Sequence, residues 1–285
     1  MIAGQAERAR RTLGGPAVYA ALAVIALFVL VALLAPVIAP HDPFAQPDAA
    51  TQANLAPSGA HLLGTDRYSR DVLSRLVFGA RVSLGIAALA VGIAMTLGTA
   101  VGALAGYAGG WTDRLVTRTV DAILSVPRVL VLIFIVAAFP HLSVFGLAIM
   151  LGLTGWPAMA KVVRAQVRET AAMDYVLAAR ALGVRPLGIL TRHVLPAAVP
   201  QILVAATLAV ATVIPLEAGL SFLGLGVRQP TPSWGNMMLD GADFGAHTWW
   251  LLVFPGMAIV ITVLSINVIG ERLREMVDPR VRASR

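Results

Sequence analysis

Residues 161–196 read KVVRAQVRETAAMDYVLAARALGVRPLGILTRHVLP, a polar stretch with a charge-free run on either side. It carries Lys161, Arg164, Arg168, Arg180, Arg185 and Arg192 against only Glu169 and Asp174. So basic a loop, set between two segments of membrane length, belongs in the cytoplasm by the positive-inside rule. Its middle, residues 176–182, is made of good helix formers (Leu177, Ala178, Ala179, Arg180, Ala181, Leu182) that stop at Gly183. Arg185-Pro186 then resets the chain, because the residue before a proline is pushed out of the α region. The expectation is a short helix, a glycine stop, a proline restart and a second helix that re-enters the membrane at Val194-Leu195-Pro196. Such a surface element can be gripped by another protein.

Composition sets the frame around that loop. Hydrophobic residues make up 58% of the chain and charged ones 13%, against about 25% charged in soluble domains. The mean hydropathy of +0.80, spread along the chain, predicts an all-α polytopic membrane protein. A net charge of +7 could suit nucleic acid, but the arginines flank apolar spans, so topology and lipid headgroups account for them and no nucleic-acid partner is expected. There is no cysteine, hence no disulfide framework or thiolate site. His41, His61, His141, His193 and His247 are scattered without ligand spacing, so no metal site is expected.

Taken in order, residues 1–16 form a polar tail with Arg8, Arg10 and Arg11, followed by a first span at 17–39. Residues 40–81 read as an external segment ending in an amphipathic helix from Asp71, expected to lie at the membrane surface. Its Arg67, Arg70, Arg75 and Arg81 run against the positive-inside rule. The second span, 82–110, carries Gly98, Gly102 and Gly106 at every fourth position, a stripe that suits close packing within the chain or a dimer seam. The third, 112–139, starts with Asp113 in its first turn, which favours the helix dipole, and Pro127 should kink it. A span so charged in its first half must turn that face to protein or water. In it, Asp121 is a candidate for the transport path or for pairing with a nearby arginine. The fourth span covers 142–160, its end loosened by Gly152, Gly155 and Pro157, and the loop 161–193 leads into a fifth at 194–216. Glu217, a carboxylate at a span's end, is either functional or structurally paired. A Gly/Pro-rich external loop, 217–247, precedes a sixth span at 249–270, with Trp249 and Trp250 in an interfacial belt. A cytoplasmic tail, 271–285, closes the chain, which puts both termini inside.

Chemical motifs are few. Gly219-Leu220-Ser221-Phe222-Leu223 supplies the first glycine of a G-x-S-x-G elbow but not the second, and H-E-x-x-H is absent. A Walker A loop needs Gly-Lys-Ser/Thr, and the only lysine, Lys161, lies between Ala160 and Val162. Catalytic residues and an ATP site are therefore not expected in this chain. A secondary transporter or channel would tend to place ionisable groups at the bilayer midplane; spans one, two, four and six carry none there. That class and a purely structural scaffold stay open as alternatives.

Three collinear stretches resemble one family. Ala178-Ala179, three residues, Gly183 and then Leu195-Pro196 resemble the "EAA" loop of ATP-binding-cassette (ABC) importer permeases, with Leu177 in place of the family glutamate and His193 in place of its isoleucine. The segment GTDRYSRDVLSRLVFGARVSL and the SFLGLG…P-x-P-SWG pattern beginning at Ser221 resemble signatures of the dipeptide/oligopeptide/nickel branch, specifically its C-type permease. The resemblance implies a type I importer permease fold with six transmembrane helices and a core at about 80–280. It implies a bacterial plasma-membrane location, a second, B-type permease subunit, two ABC ATPase subunits that hold the ATP and magnesium, and an external solute-binding protein. It further implies a coupling loop made by Leu177, Ala178, Ala179, Arg180, Gly183, Arg185, Pro186, Leu195 and Pro196. Asp121, Pro127, Glu217 and Ser221 are the candidates for path or gate. Peptides are the expected solute, with nickel as the alternative.

Overall fold

A computed structural model describes residues 15–242 and 245–277. The tail residues Arg8, Arg10, Arg11, Arg280, Arg282 and Arg285 lie outside the described residues. Among those described there are no strands, only an isolated bridge between Thr65 and Asp71. Twelve α-helices are used below: α1 (Pro16–Leu33), α2 (Ala35–Ile38), α3 (Ala49–Gln52), α4 (Val72–Ala108), α5 (Gly110–Leu124), α6 (Arg128–Ala138), α7 (Val144–Ala171), α8 (Asp174–Ala181), α9 (Pro186–Ile189), α10 (Leu195–Phe222), α11 (Trp234–Ala242) and α12 (Trp249–Val277). A π-helical turn at Leu190–Val194 joins α9 to α10. Five segments are long and apolar enough to cross a membrane, and α5 with α6, bent by 76° at their break, makes a sixth.

Several expected boundaries move, each for a local reason. The amphipathic segment after Asp71 is not a separate surface helix: it is the first part of α4, whose start Asp71 caps by accepting from the Ser74 N–H at 2.8 Å. At 37 residues and 1.5 Å each, α4 is about 55 Å long and overshoots the roughly 30 Å hydrocarbon layer. The first span breaks at Leu34 into α1 and α2, with Pro36 in the first turn of α2. The third span is two helices. Ser125 ends α5, its hydroxyl donating to the Ala122 carbonyl at 2.7 Å, and Pro127 caps α6. The helix of the fourth span runs eleven residues past the expected end, through Lys161, Arg164 and Arg168 to Ala171. The fifth extends to Phe222 and takes Glu217 and Ser221 inside it.

The glycine stripe on α4 packs within the chain, against α7. A Cβ on Gly98 would lie 2.6 Å from the Met159 Cβ, one on Gly102 2.5 Å from the Ala160 carbonyl oxygen, and one on Gly106 2.6 Å from the Arg164 carbonyl oxygen. No side chain fits where backbones approach so closely. Gly152 of α7 returns the contact, its missing Cβ 2.7 Å from that of Ile93, so it serves packing and does not loosen the helix. The main core lies along this seam, with Ile86, Leu132, Leu147, Leu151, Ile214 and Trp234 buried. A second core of Val163, Val167, Val176, Ile189, Val194 and Ala198 gathers at the end that carries α8. By contrast α1 is apolar all round and largely exposed, with Leu27 and Leu30 on its surface, the pattern of a helix that faces lipid.

Candidate functional site

At the α8 end, the polar stretch divides into two parts with different partners. Lys161, Arg164 and Arg168 stand on one face of α7 at spacings of three and four and meet the acids of α5. Arg164 forms a two-pronged pair with Asp113 (Nη2 to Oδ2, 2.7 Å), Arg168 lies 3.8 Å from the same carboxylate, and Lys161 is 2.8 Å from Asp121. Asp121 therefore pairs with a lysine rather than the expected arginine, and half-exposed on a surface.

Beyond Ala171 the chain turns into α8. Val176 and Ala179 are buried, Val176 in one cluster with Val163 and Val167 of α7 and Val194 of the π-helical turn, while Ala178, Arg180 and Leu177 face out. The two small residues of the motif thus do different things: Ala179 seats the helix on the bundle and Ala178 is presented outward. Arg180 reaches back over the Tyr107 ring at 5.8 Å. The helix ends in a Schellman arrangement. Gly183, at φ +79°, donates to the Arg180 carbonyl at 3.0 Å and Val184 donates to the Ala179 carbonyl at 3.2 Å. Arg185 is extended ahead of Pro186, which opens α9. Leu195 and Pro196 form the first turn of α10. What this turn displays is apolar: Met173, Tyr175, Leu177, Leu182, Val184 and Leu187 are all exposed, Leu182 to 84%.

The opposite end is closed by a buried ion network that sequence patterning does not reveal. Arg70, 1% exposed, donates from Nε to Asp66 at 2.7 Å, from Nη1 to the Gln229 side chain at 2.7 Å and from Nη2 to Asp240 at 3.2 Å. Arg75 is equally buried and lies 3.4 Å from Asp66. Burial pushes the Asp240 carboxyl above the usual carboxylate range, an effect that Arg70 opposes. Two of the arginines that stood against the positive-inside rule are thus neutralised inside the protein. Trp250 is buried here too, donating from Nε1 to the Thr65 carbonyl at 3.2 Å, so of the expected tryptophan belt only Trp249 is on the surface. His41 and His61, expected to be scattered, meet beside Asp71.

Glu217 is 1% exposed in α10 and accepts from Ser221 at 2.7 Å and from Ser83 of α4 at 3.2 Å. The Ser83 hydroxyl accepts from the Trp234 N–H and that of Ser221 from the Val227 N–H. The carboxylate therefore ties α4, α10 and the start of α11 together through two hydroxyls, with no cation among the described residues within ion-pair distance. Glu217→Ala is expected to lower stability by about 2 kcal/mol, because the buried hydroxyls lose their acceptor. Glu217→Gln should recover part of that loss, and thermal unfolding of the purified protein checks both.

The four candidates for path or gate do not converge. Glu217 and Ser221 share the core network, Asp121 is on the α5 surface, and Pro127 is the exposed break between α5 and α6. Instead an open apolar cavity of about 230 Å³ lies between α4, α7 and α10, lined by residues that include Ala94, Arg128, Leu151, Met159 and Leu208. Arg128 is its one charged lining residue and has no carboxylate within ion-pair distance among the described residues; it donates to the Leu151 carbonyl at 2.6 Å. Its isolation in an otherwise apolar run was the available sequence signal.

Comparisons with known proteins bear on the chain as a whole. Residues 98–283 match the family described as binding-protein-dependent transport system inner membrane component, and residues 9–57 match the N-terminal TM domain of oligopeptide transport permease C. The dipeptide transport system permease protein DppC of Alkalihalophilus pseudofirmus is 36% identical over 92% of this chain and 85% of its own. The oligopeptide transport system permease protein OppC of Bacillus subtilis is 38% identical, again over 92% and 85%. Among solved structures, an inward-facing MetNI methionine ABC transporter matches 72% of this chain and 97% of that one, with a TM-score of 0.58 at 21% identity, a likeness of fold. With the family matched over most of its length and its helices arranged as an importer permease, this multi-pass membrane chain belongs to the binding-protein-dependent transport system inner membrane components, the permeases of ABC importers.

Proposed function

We propose that this chain carries peptides across the membrane as one of two permease subunits, driven by two separate ATPase subunits that bind the ATP and magnesium, and supplied by an external solute-binding protein. The observation that carries this reading is the apolar surface of the α8–α9 turn. It lies at the basic end of the bundle, the end expected to face the cytoplasm, and exposed apolar groups there suit a protein partner. Ala178 allows close approach, and the Gly183 stop holds α8 at a fixed angle to α9 and α10, so a push on the turn is transmitted to α7 and α10 as a rigid-body motion. The chain itself has no Walker A sequence, which leaves hydrolysis to the partners.

The basic loop sets the orientation, with both termini cytoplasmic in a bacterial plasma membrane. Arg70 and Arg75, neutralised by Asp66 and Asp240, no longer count against it. A peptide suits the cavity better than nickel. Its lining offers no imidazole or carboxylate, while Arg128 can attract a peptide's terminal carboxylate. Glu217 and Asp121 line no part of that cavity, which disfavours ion coupling.

Because the chain lacks cysteine, Leu182→Cys introduces a single thiol on the exposed turn. With a cysteine in the ATPase cleft, oxidation of the assembled transporter is expected to yield a crosslinked permease–ATPase band that shifts in yield with added ATP. A complex that copurifies intact yet gives no such band from any cleft position would overturn the assignment.

A further inference from the structure

We infer that His41, His61 and Asp71 form a binding site for a divalent transition-metal cation of the zinc type, resident in the protein and separate from the solute path. The three residues come from different parts of the chain. His41 follows α2, His61 lies in the segment between α3 and α4, and Asp71 caps α4. One ligand atom from each lies within 4.8 Å of the other two. The Nδ1 atoms of His61 and His41 are 3.0 and 3.7 Å from the same oxygen, Asp71 Oδ1. Ligands of a tetrahedral zinc ion, at about 2.0–2.1 Å from the metal, stand about 3.4 Å apart, so the two measured separations bracket the required spacing. Bringing the imidazoles together needs at most about 1.4 Å of movement, and the two rings already lie side by side, their centroids 5.0 Å apart, with the His41 side chain 45% exposed.

Two further observations point the same way. First, Asp71 is fixed as a metal-binding carboxylate is fixed: its other oxygen, Oδ2, accepts from the Ser74 N–H at 2.8 Å and the Ser74 hydroxyl at 2.7 Å, so that Oδ1 is held by the His61 Nδ1 alone, at hydrogen-bond distance, a contact a cation would replace. The same hydroxyl accepts the His41 N–H at 3.0 Å, so one serine holds both a ligand carboxylate and the backbone of a ligand histidine. Second, Asp71 is 1% exposed, yet the arginines around it are engaged with Asp66 and Asp240, and no lysine or arginine lies within ion-pair distance of it among the described residues. The hydrogen bonds from Ser74 and His61 satisfy this buried carboxylate without a full positive charge from lysine or arginine beside it, and a divalent cation would supply that charge. Two nitrogens and one oxygen suit zinc and its first-row neighbours, whereas magnesium and calcium favour all-oxygen shells. The exposed side of His41 leaves a fourth position for water. Bound there, the cation would clasp the segment before α4 onto the α4 N-terminus.

The test uses the protein in lipid nanodiscs, with its affinity tag removed, titrated with zinc ions against a chromophoric chelator. One equivalent per copy of this chain is expected to bind, undiminished by a thousandfold excess of magnesium. His41→Ala, which removes the most exposed ligand, should weaken that binding at least tenfold. Identical zinc binding by wild type and variant, or none by wild type, would overturn the site. X-ray absorption at the zinc edge of the loaded wild type needs no variant: two imidazoles and oxygen neighbours are expected, and a shell without imidazole is equally decisive against it.

Discussion

Gly183→Val is expected to uncouple the transporter: solute-stimulated ATP hydrolysis and peptide uptake should fall about tenfold while the complex still assembles. Gly183 sits at φ +79° with no neighbouring atom within 4 Å of where a Cβ would be, so the damage comes from backbone conformation and not from a clash. A side chain in that region costs about 1–2 kcal/mol, more when β-branched. The chain can relieve it only by opening the two hydrogen bonds that close α8. A penalty of that size on the geometry that must dock corresponds to roughly a tenfold loss of competent population. Gly183→Asn, which tolerates positive φ, should retain most of the activity. Hydrolysis measured in proteoliposomes with binding protein and peptide, alongside size-exclusion of the complex, separates the outcomes. Unchanged coupling in the valine variant would reduce the turn to a connector.

The largest effect on stability is expected from Asp66→Ala. This carboxylate, 2% exposed, faces the guanidinium groups of both Arg70 and Arg75 and also accepts the Tyr68 and Arg70 N–H groups. Its removal leaves two buried cations with Asp240 as the one nearby carboxylate among the described residues, beside the neutral acceptors Gln229, Pro43 and Pro230, and breaking one side of a buried pair costs about 3–5 kcal/mol. A loss of that size is comparable to the whole stability of many domains, so the variant should appear as a large drop in the yield of folded protein and in its unfolding temperature. Asp121→Ala is the contrasting case: its pair with Lys161 is half-exposed on both sides, and such surface pairs contribute little. A small effect for Asp66→Ala would mean that water reaches the network and hydrates the orphaned arginines.

The sequence by itself determined what depends on neighbours along the chain. Charge-free runs of membrane length mark every span but the third, because backbone and hydropathy alone decide what can cross hydrocarbon. The Gly183 stop and the Arg185-Pro186 restart were legible because φ limits and the missing proline N–H are properties of single residues. The break at Pro127 and the Gly98-Gly102-Gly106 stripe were legible for the same reason. Helix ends were less so: hydropathy falls at Lys161, but the α7 helix continues to Ala171 because α5 brings Asp113 and Asp121 to receive its cations. The identity of the buried face was also hidden. Ala178 and Ala179 are equivalent in sequence, and only the packing of α8 on Val163 and Val167 turns one inward and the other out. Tertiary structure alone paired Arg70 with Asp240, 170 positions away, gathered His41, His61 and Asp71, and isolated Arg128 in an apolar cavity. The first two depend on how the segments before α4 and around α11 fold back over the helix ends, the third on how α4, α7 and α10 pack around α6, and the energy of a charge or ligand is set by the partner that the fold delivers to it, which no local pattern encodes.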